Sequence, residues 1–238
     1  APAVDKSGLF TSFANFVDED VIGCLGYAEI ANSINGEIQK RSSGRVVMPR
    51  LARQPIEVDA SRDVNDVDID PIDDVVKLVP SGAAASTGYH NEQATPGGNA
   101  NRWTTLRSVS GARGFYITNP LTFAEGDSDF QLIQYRRIIL QAARIWYAYG
   151  LSQLSRRIRK DPATGFIAPS IADAIEKAGE AAIRAGLGDA IDFVTVKVNR
   201  ADNLSDLTLR AKIRVGVGGY VKTFDSELGL ASSTSAAA

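Results

Sequence analysis

Residues 191–199 read IDFVTVKVN and residues 207–215 read LTLRAKIRV. In both stretches apolar side chains alternate with polar or charged ones, which is the period of a β-strand with one covered face and one wet face. Val194, Val196 and Val198 share one side of the first stretch, and every odd-numbered residue of the second is apolar. The two stretches therefore predict strands of a sheet with a charged outer face. After an interruption by glycines, residues 220–224 predict a further, less regular strand.

Two helices and one more strand are predicted upstream of these strands. Ser128 and Gln131 have the spacing of a capping box, which predicts a helix over residues 129–149. Pro169 predicts the start of a second helix, which ends near residue 185 with Gly186 just beyond it. Residues 114–118 predict a short strand. Apolar residues at helical spacing predict the buried faces: Leu132, Tyr135, Ile139, Ala142, Trp146 and Tyr149 in the first helix, and Ile171, Ile175, Ala178, Ala182 and Ile183 in the second.

Composition narrows the classes of protein to which these 238 residues can belong. Apolar residues make up 44% and charged residues 23%, as in ordinary globular proteins, and the net charge is only −2. The excess of Lys and Arg over Asp and Glu is −7 in residues 1–101, +7 in residues 102–160 and −2 in residues 161–238. This uneven layout favours contact between unlike surfaces, either within the fold or between copies of it.

Several kinds of site lack their sequence signature. The longest apolar stretch, near residues 138–151, is too short and too often interrupted to span a membrane. Cys24 and His90 are the only residues of their types, so they cannot build a Cys/His zinc cluster, and a single cysteine suits a reducing compartment inside a cell. No GxxxxGK[ST] motif is present to hold a nucleotide phosphate. A hydrolase site that uses His90 stays open as a third alternative, because the members of such a site need not be close in sequence.

The acidic run DVNDVDIDPIDD at residues 63–74 resembles a calcium-binding loop only in part. Asp66, Asp68 and Asp70 occupy positions 1, 3 and 5 of the loop pattern. Position 6, however, is Pro71 where glycine is required, and position 12 is Lys77 where a bidentate glutamate is required. A solvated acidic loop is therefore the prediction. No metal, cofactor or catalytic residue is expected.

Four stretches, taken in order, resemble contractile tail sheath proteins of myophages and of related injection machines. They are GFYITNP at residues 114–120, LTFAEGDSDFQLIQYRRIILQAARI at 121–145, DPATGFI at 161–167 and TLRAKIRVGVGGYVKTFDSELGL at 208–230. The shared features are the strand followed by asparagine, the opening of the long helix, and the final strand–glycine–strand element. The resemblance covers about residues 102–230, a little over half of the chain.

The resemblance implies an α/β fold, in which a mixed sheet is packed by two main helices and carries extended terminal arms. Residues 1–101 would then be an N-terminal arm or segment with loops, residues 102–230 a sheath-like core, and residues 231–238 a flexible tail. It also implies a structural subunit of the virion tail that assembles in the host cytoplasm and takes part in viral genome ejection. No enzymatic activity is expected.

The partners implied by the resemblance are other copies of the chain, in stacked hexameric rings joined by strand exchange, together with the tail tube, the baseplate and the tail terminator. No membrane or direct nucleic-acid contact is expected. The runner-up hypothesis, from the residues alone, is a nucleic-acid-binding domain that uses the basic helical region 129–160. The residues predicted to make interface contacts are Arg136, Arg137 and Arg144 on the helix, and Val194, Val196, Leu209, Ala211, Ile213, Tyr220 and Phe224 on the strands.

Overall fold

A computed structural model describes residue 13 and residues 15–31, 34–61, 75–79, 101–108, 115–154, 156–202 and 208–220, with the backbone alone at 75–79 and 108. The acidic run at 63–74, the loop around His90, residue Phe224 and the tail at 231–238 lie outside the described residues. Of the predicted N-terminal segment 1–101, residues 1–12, 14, 32–33, 62–74 and 80–100 also lie outside them.

The described chain has mixed α/β content, as predicted. Its strands are β1 (Asp18–Cys24), β2 (Tyr27–Ala31), β3 (Ile38–Ser42), β4 (Val75–Val79), β5 (Trp103–Thr104), β6 (Leu106–Ser108), β7 (Phe115–Ile117), β8 (Thr122–Phe123), β9 (Phe193–Val198) and β10 (Ala211–Gly216). Its α-helices are α1 (Gly44–Arg53), α2 (Ile133–Gln153) and α3 (Pro169–Leu187), and a short 3₁₀ turn, Gly188–Ala190, follows α3.

The strands form four small sheets within the described ranges. One is mixed: β1 lies in the middle, parallel to β5 and antiparallel to β8. β2 lies between β3 and β4 and is antiparallel to both. The pairs β6–β7 and β9–β10 are each antiparallel. The strand predicted at residues 114–118 is therefore present as β7.

Described residues before position 101 take part in the same packing as later ones. Ala28, Val47 and Leu51, from β2 and α1, are buried together with Leu106 and Ile117, from β6 and β7. Because β1 is also the central strand of the mixed sheet, residues on both sides of position 101 build one hydrophobic core there. A second core joins α2, α3, β9 and β10 and carries the region considered below.

Helix α2 begins at Ile133, four residues later than the capping box predicts. The N–H of Thr122 donates to the carbonyl of Gln131 at 2.8 Å, and Leu132 forms a β-bridge with Leu121. These contacts keep residues 131–132 extended, so the helix cannot start before them. Ser128 instead closes a local turn, where its hydroxyl accepts a hydrogen bond from the N–H of Phe130 at 3.1 Å.

The predicted faces and ends of the two helices also need correction. In α2 the fully buried residues are Gln134, Ile138 and Ala142, so the buried face is rotated from the predicted stripe, of which only Ala142 is fully buried. The helix also continues beyond residue 149, to Gln153. Helix α3 ends at Leu187, two residues later than predicted, and Gly188, with a φ of +53°, follows it in place of Gly186. In α3 the predicted Ala178 is exposed.

Gly186 has a different role, since it lets α2 and α3 approach each other. A Cβ atom at this position would lie 2.5 Å from Cδ1 of Ile145, well inside van der Waals contact. A Cβ atom at Gly179 would similarly lie 2.6 Å from the ring of Trp146. The two glycines therefore hold the helices close enough for one core to form between them.

Candidate functional site

The β9–β10 pair has one covered face and one charged face, as the alternation predicts. Val194, Val196 and Val198 are buried beneath α3, while Lys212 and Arg214 are exposed. The strand predicted over 207–215 is confirmed in part, because β10 begins at Ala211. The N–H of Arg210 is instead taken by Oδ2 of Asp202 at 2.6 Å, in the connection from β9.

The register of the pair determines which backbone groups face outward. Ile213 lies opposite Val196, and Ala211 lies opposite Val198. Each of the N–H groups of Val196 and Val198 in β9 donates to a side chain of α3, which shows that both point away from β10. When two residues lie directly opposite each other in an antiparallel pair, the N–H and C=O groups of both point towards the partner strand or those of both point away from it. The N–H and C=O groups of Ala211, Ile213 and Val215 therefore point away from β9.

The outer edge of β10 has no neighbouring strand among the described residues. A groove of about 560 Å³ lies at the C-terminal end of this edge, where Val215 lines it. Its apolar lining comes from the turn before α2, from the first half of α2 and from the end of β10: Phe130, Leu132, Tyr135, Ile139, Val215 and Val217. We call this surface the β10 groove. An extended peptide laid there could pair with the backbone of β10 and place alternate side chains against α2.

The segment after β10 runs back across the start of α2. The hydroxyl of Tyr135 donates to the carbonyl of Gly218 at 3.2 Å, and the rings of Tyr135 and Tyr220 lie 5.5 Å apart. Tyr220 in turn donates to the carbonyl of Glu57 at 2.6 Å. Burial is the largest cause that raises the pKa of Tyr220 to about 12, so its phenol keeps the proton that it donates. These contacts tie the end of β10 to the rest of the fold.

The outer edge of β9 differs, because α3 covers its N–H groups with carboxylates. Val196 donates to Oε1 of Glu180 at 2.9 Å, and Val198 donates to Oε1 of Glu176 at 3.0 Å. Glu176 is only 5% exposed, and its Oε2 also accepts from Lys197 at 3.2 Å and lies 3.6 Å from Arg200. We call Glu176 and Glu180 the glutamate clamp. Sequence reasoning missed it, although both glutamates interrupt the apolar stripe of α3.

The environment of Glu176 predicts that part of the stability of the fold depends on pH. Burial by itself would raise the pKa of Glu176, but the hydrogen bond from Val198 and the charges of Lys197 and Arg200 outweigh it, and the pKa lies below its ordinary value of 4.5. A carboxyl group with a folded-state pKa below its unfolded value stabilises the fold above the unfolded pKa, and this contribution is lost as pH falls through the folded pKa.

We therefore expect the free energy of unfolding to fall from about pH 5 to about pH 3 more steeply in the wild type than in Glu176→Gln. The glutamine keeps an acceptor for the N–H of Val198 but carries no charge to titrate. Urea denaturation followed by circular dichroism at several pH values measures the difference. Parallel curves for the two proteins would contradict the assignment of this charge to stability.

The structure does not gather the three predicted arginines into one contact surface. Arg136 binds Asp20 through two hydrogen bonds, of 2.6 and 3.0 Å, and Nη1 lies 3.8 Å from Glu19. This hydrogen bonding is the largest cause that lowers the pKa of Asp20. Arg137 donates to the carbonyl of Gln54, at the end of α1, at 2.9 Å. Arg144 is exposed.

The predicted strand residues divide between the core and the β10 edge. Val194 and Val196 are buried in the second core, while Ala211 and Ile213 pack partly buried against it and present their backbones to the open edge. Leu209 precedes β10 and packs with the residues around Val198. Tyr220 follows β10 in the segment described above.

Other chemistry has no support in the described ranges. No three His, Cys, Asp or Glu side chains there are grouped so that they could hold a metal ion. No helix in the same ranges is both long and apolar enough to cross a membrane. Burial raises the pKa of Cys24 to about 11, so its thiol stays protonated and weakly nucleophilic at neutral pH.

The fold and this site define an α/β protein with a two-helix layer and a small sheet that has one open edge in the described chain. No protein-family model and no curated protein matches the sequence. The structure is similar, with a TM-score of 0.60 and 12% sequence identity, to a chain in the cryo-EM structure of the anti-feeding prophage (AFP) baseplate, 6-fold symmetrised. The similarity covers 90% of this chain and 56% of that one, so this chain spans a little over half the length of the chain it matches. At this identity the similarity shows a shared fold.

Proposed function

We propose that this protein is a structural subunit of a contractile injection particle and, within that class, a subunit of the contractile sheath. Two likenesses support the class: the sequence resembles tail sheath proteins over residues 102–230, and the fold is similar to that of a chain from a 6-fold symmetrised baseplate. The sheath is the finer proposal, and it rests on the sequence resemblance.

The observation that carries the proposal is the outer edge of β10, which has no neighbouring strand in the described chain and ends at the β10 groove. Ala211, Ile213 and Val215 each offer one N–H and one C=O, and about six hydrogen bonds at about 0.5–1.5 kcal/mol each would contribute on the order of 3–9 kcal/mol per junction. Backbone bonds of this kind depend little on side-chain identity, so they can persist while subunits rotate against each other. No nucleotide site is needed, because the free energy for contraction is stored when the subunits assemble.

The proposed neighbour is another copy of the chain. A strand from one copy pairs with β10 of the next, and repetition of this contact around an axis closes a ring of six. Stacked rings surround the tail tube, with the baseplate and the terminator at the two ends. The nucleic-acid alternative has less support, because Arg136 and Arg137, two of its basic residues, are engaged in contacts within the fold.

Electron microscopy of the purified full chain tests the proposal. We expect negative-stain images to show six-fold rings that stack into tubes as protein concentration rises, because each added ring repeats the same junctions. Single rings that never stack would support a baseplate subunit over a sheath subunit. A monodisperse monomer at all concentrations and salt conditions would contradict assembly. Steeply salt-dependent binding to duplex DNA by that monomer would favour the nucleic-acid alternative.

A further inference from the structure

The two glutamates of the clamp match the repeat of the strand that they cover. Glu176 and Glu180 are four residues apart on α3, which places them about 6 Å apart along the helix axis. Val196 and Val198 are two residues apart on β9, so their outward N–H groups are separated by about 6.5–7 Å. One turn of helix therefore supplies an acceptor to each of two successive outward donors, at 2.9 and 3.0 Å.

Displacing these carboxylates would be costly for an incoming strand. Glu176 is 5% exposed and lies between the N–H of Val198 and two cations, Lys197 and Arg200. A strand that bonded to the N–H of Val198 would take this donor away from Glu176. The buried carboxylate of Glu176 would then have fewer partners, which is strongly unfavourable. The edge of β10, in contrast, has no neighbouring strand in the described chain, and its C-terminal end borders the β10 groove.

We infer that Glu176 and Glu180 close the β9 edge to strand addition and so direct an incoming strand to β10. The inference rests on the proposed assembly by strand exchange, and it specifies which edge of the sheet receives the strand. One sheet with a single receptive edge accepts one neighbour's strand, whereas two receptive edges would allow branched and irregular association. The clamp is thus a determinant of which surface of the subunit becomes a junction.

Amide hydrogen exchange in the full chain, followed residue by residue by NMR, tests the clamp before any assembly takes place. At a concentration where the chain is monomeric, we expect the Val196 amide to exchange at least about tenfold more slowly than that of Ile213, since within the described residues only the former has a protein acceptor. Glu180→Ala should raise the rate at Val196 about tenfold or more, because it removes that acceptor. Glu180→Gln should keep Val196 protected, because the amide oxygen can still accept.

Lys177→Ala is the matched control, since it removes an exposed side chain from the same turn of α3 and should leave Val196 unchanged. Equal rates at Val196 in the wild type and in Glu180→Ala, with both proteins folded by circular dichroism, would overturn the inference. Glu180→Ala leaves the more deeply buried Glu176 in place, so the fold is expected to survive.

The same measurement on assembled protein separates the clamp from the proposed function. On assembly of the wild type we expect new protection at Ala211, Ile213 and Val215, whereas in Glu180→Ala new protection should appear at Val196 as well. If the assembled wild type gains protection on β9 and none on β10, the inference that β10 is the receiving edge is overturned. If the chain never assembles, the proposed function fails, while the comparison of Val196 in monomers still decides whether the clamp exists.

Discussion

Replacing Ile213 with proline is expected to abolish assembly while the β9–β10 pair stays intact. The N–H of Ile213 points away from β9, so proline removes no hydrogen bond within the pair. It does remove the central donor of the open edge, and its ring occupies the space that an added strand would need. The concentration required for assembly should rise by at least about a hundredfold, because the middle of the ladder is lost from every junction.

Ile213→Ala is the matched control for this substitution. Both variants lose most of a partly buried side chain from the second core, but alanine keeps the outward N–H. We expect the alanine variant to assemble in negative-stain images and by light scattering, and the proline variant to remain monomeric with a similar circular dichroism spectrum. Assembly of the proline variant at the wild-type concentration would show that this edge is not the junction.

Truncating Ile138 to alanine is expected to cause the largest loss of stability among single core substitutions in α2. The side chain is fully buried, at 0% exposed, in the core that joins α2, α3 and the β9–β10 pair. Removing three buried carbon atoms and leaving a cavity typically costs about 2–5 kcal/mol, so we expect the free energy of unfolding to fall by about 3 kcal/mol. Urea denaturation of the monomer measures this loss from the shift of the midpoint.

Leu140→Ala is the control on the same helix, because Leu140 is 40% exposed and should cost less than about 1 kcal/mol. Equal losses for the two variants would mean that α2 does not bury the face assigned to it. The comparison also checks the rotation of the helix, since the sequence pattern favours Ile139 as a buried position, whereas in the structure Ile138 is the fully buried residue.

The elements of the second core were predictable because each has a strong local period. The alternation in residues 193–198 predicts both the strand and its buried face, and Val196 is fully buried as expected. Pro169 marks the first residue of α3 correctly. The start of α2 was not predictable from the capping box, because a tertiary contact, the bridge of Leu132 to Leu121, keeps the chain extended beyond Ser128.

The candidate site was predictable only in its broad location. The strand pattern indicated that Ala211 and Ile213 belong to a sheet, and the resemblance to sheath proteins implied that this sheet contacts other copies, a role that remains a prediction. The arginines were singled out for their charge, but the destination of a long basic side chain depends on which carboxylates and carbonyls the fold brings near it. Arg136 meets Asp20, more than a hundred residues away in the chain, and nothing in the local sequence predicts that contact.

The sequence alone determined that β7, β9, part of β10 and the helices α2 and α3 are present, and which face of the β9–β10 pair is covered, because these follow from side-chain periodicity along a single segment. Only the tertiary structure decided that, in the part of the chain that is described, β10 has the open edge and β9 the covered one. The backbone groups of the two edges are chemically the same, and what distinguishes them is the neighbour that each one meets. Glu176 and Glu180 reach β9 because α3 packs across it, whereas the groove beside β10 is formed by residues from α2 and from the turn before it.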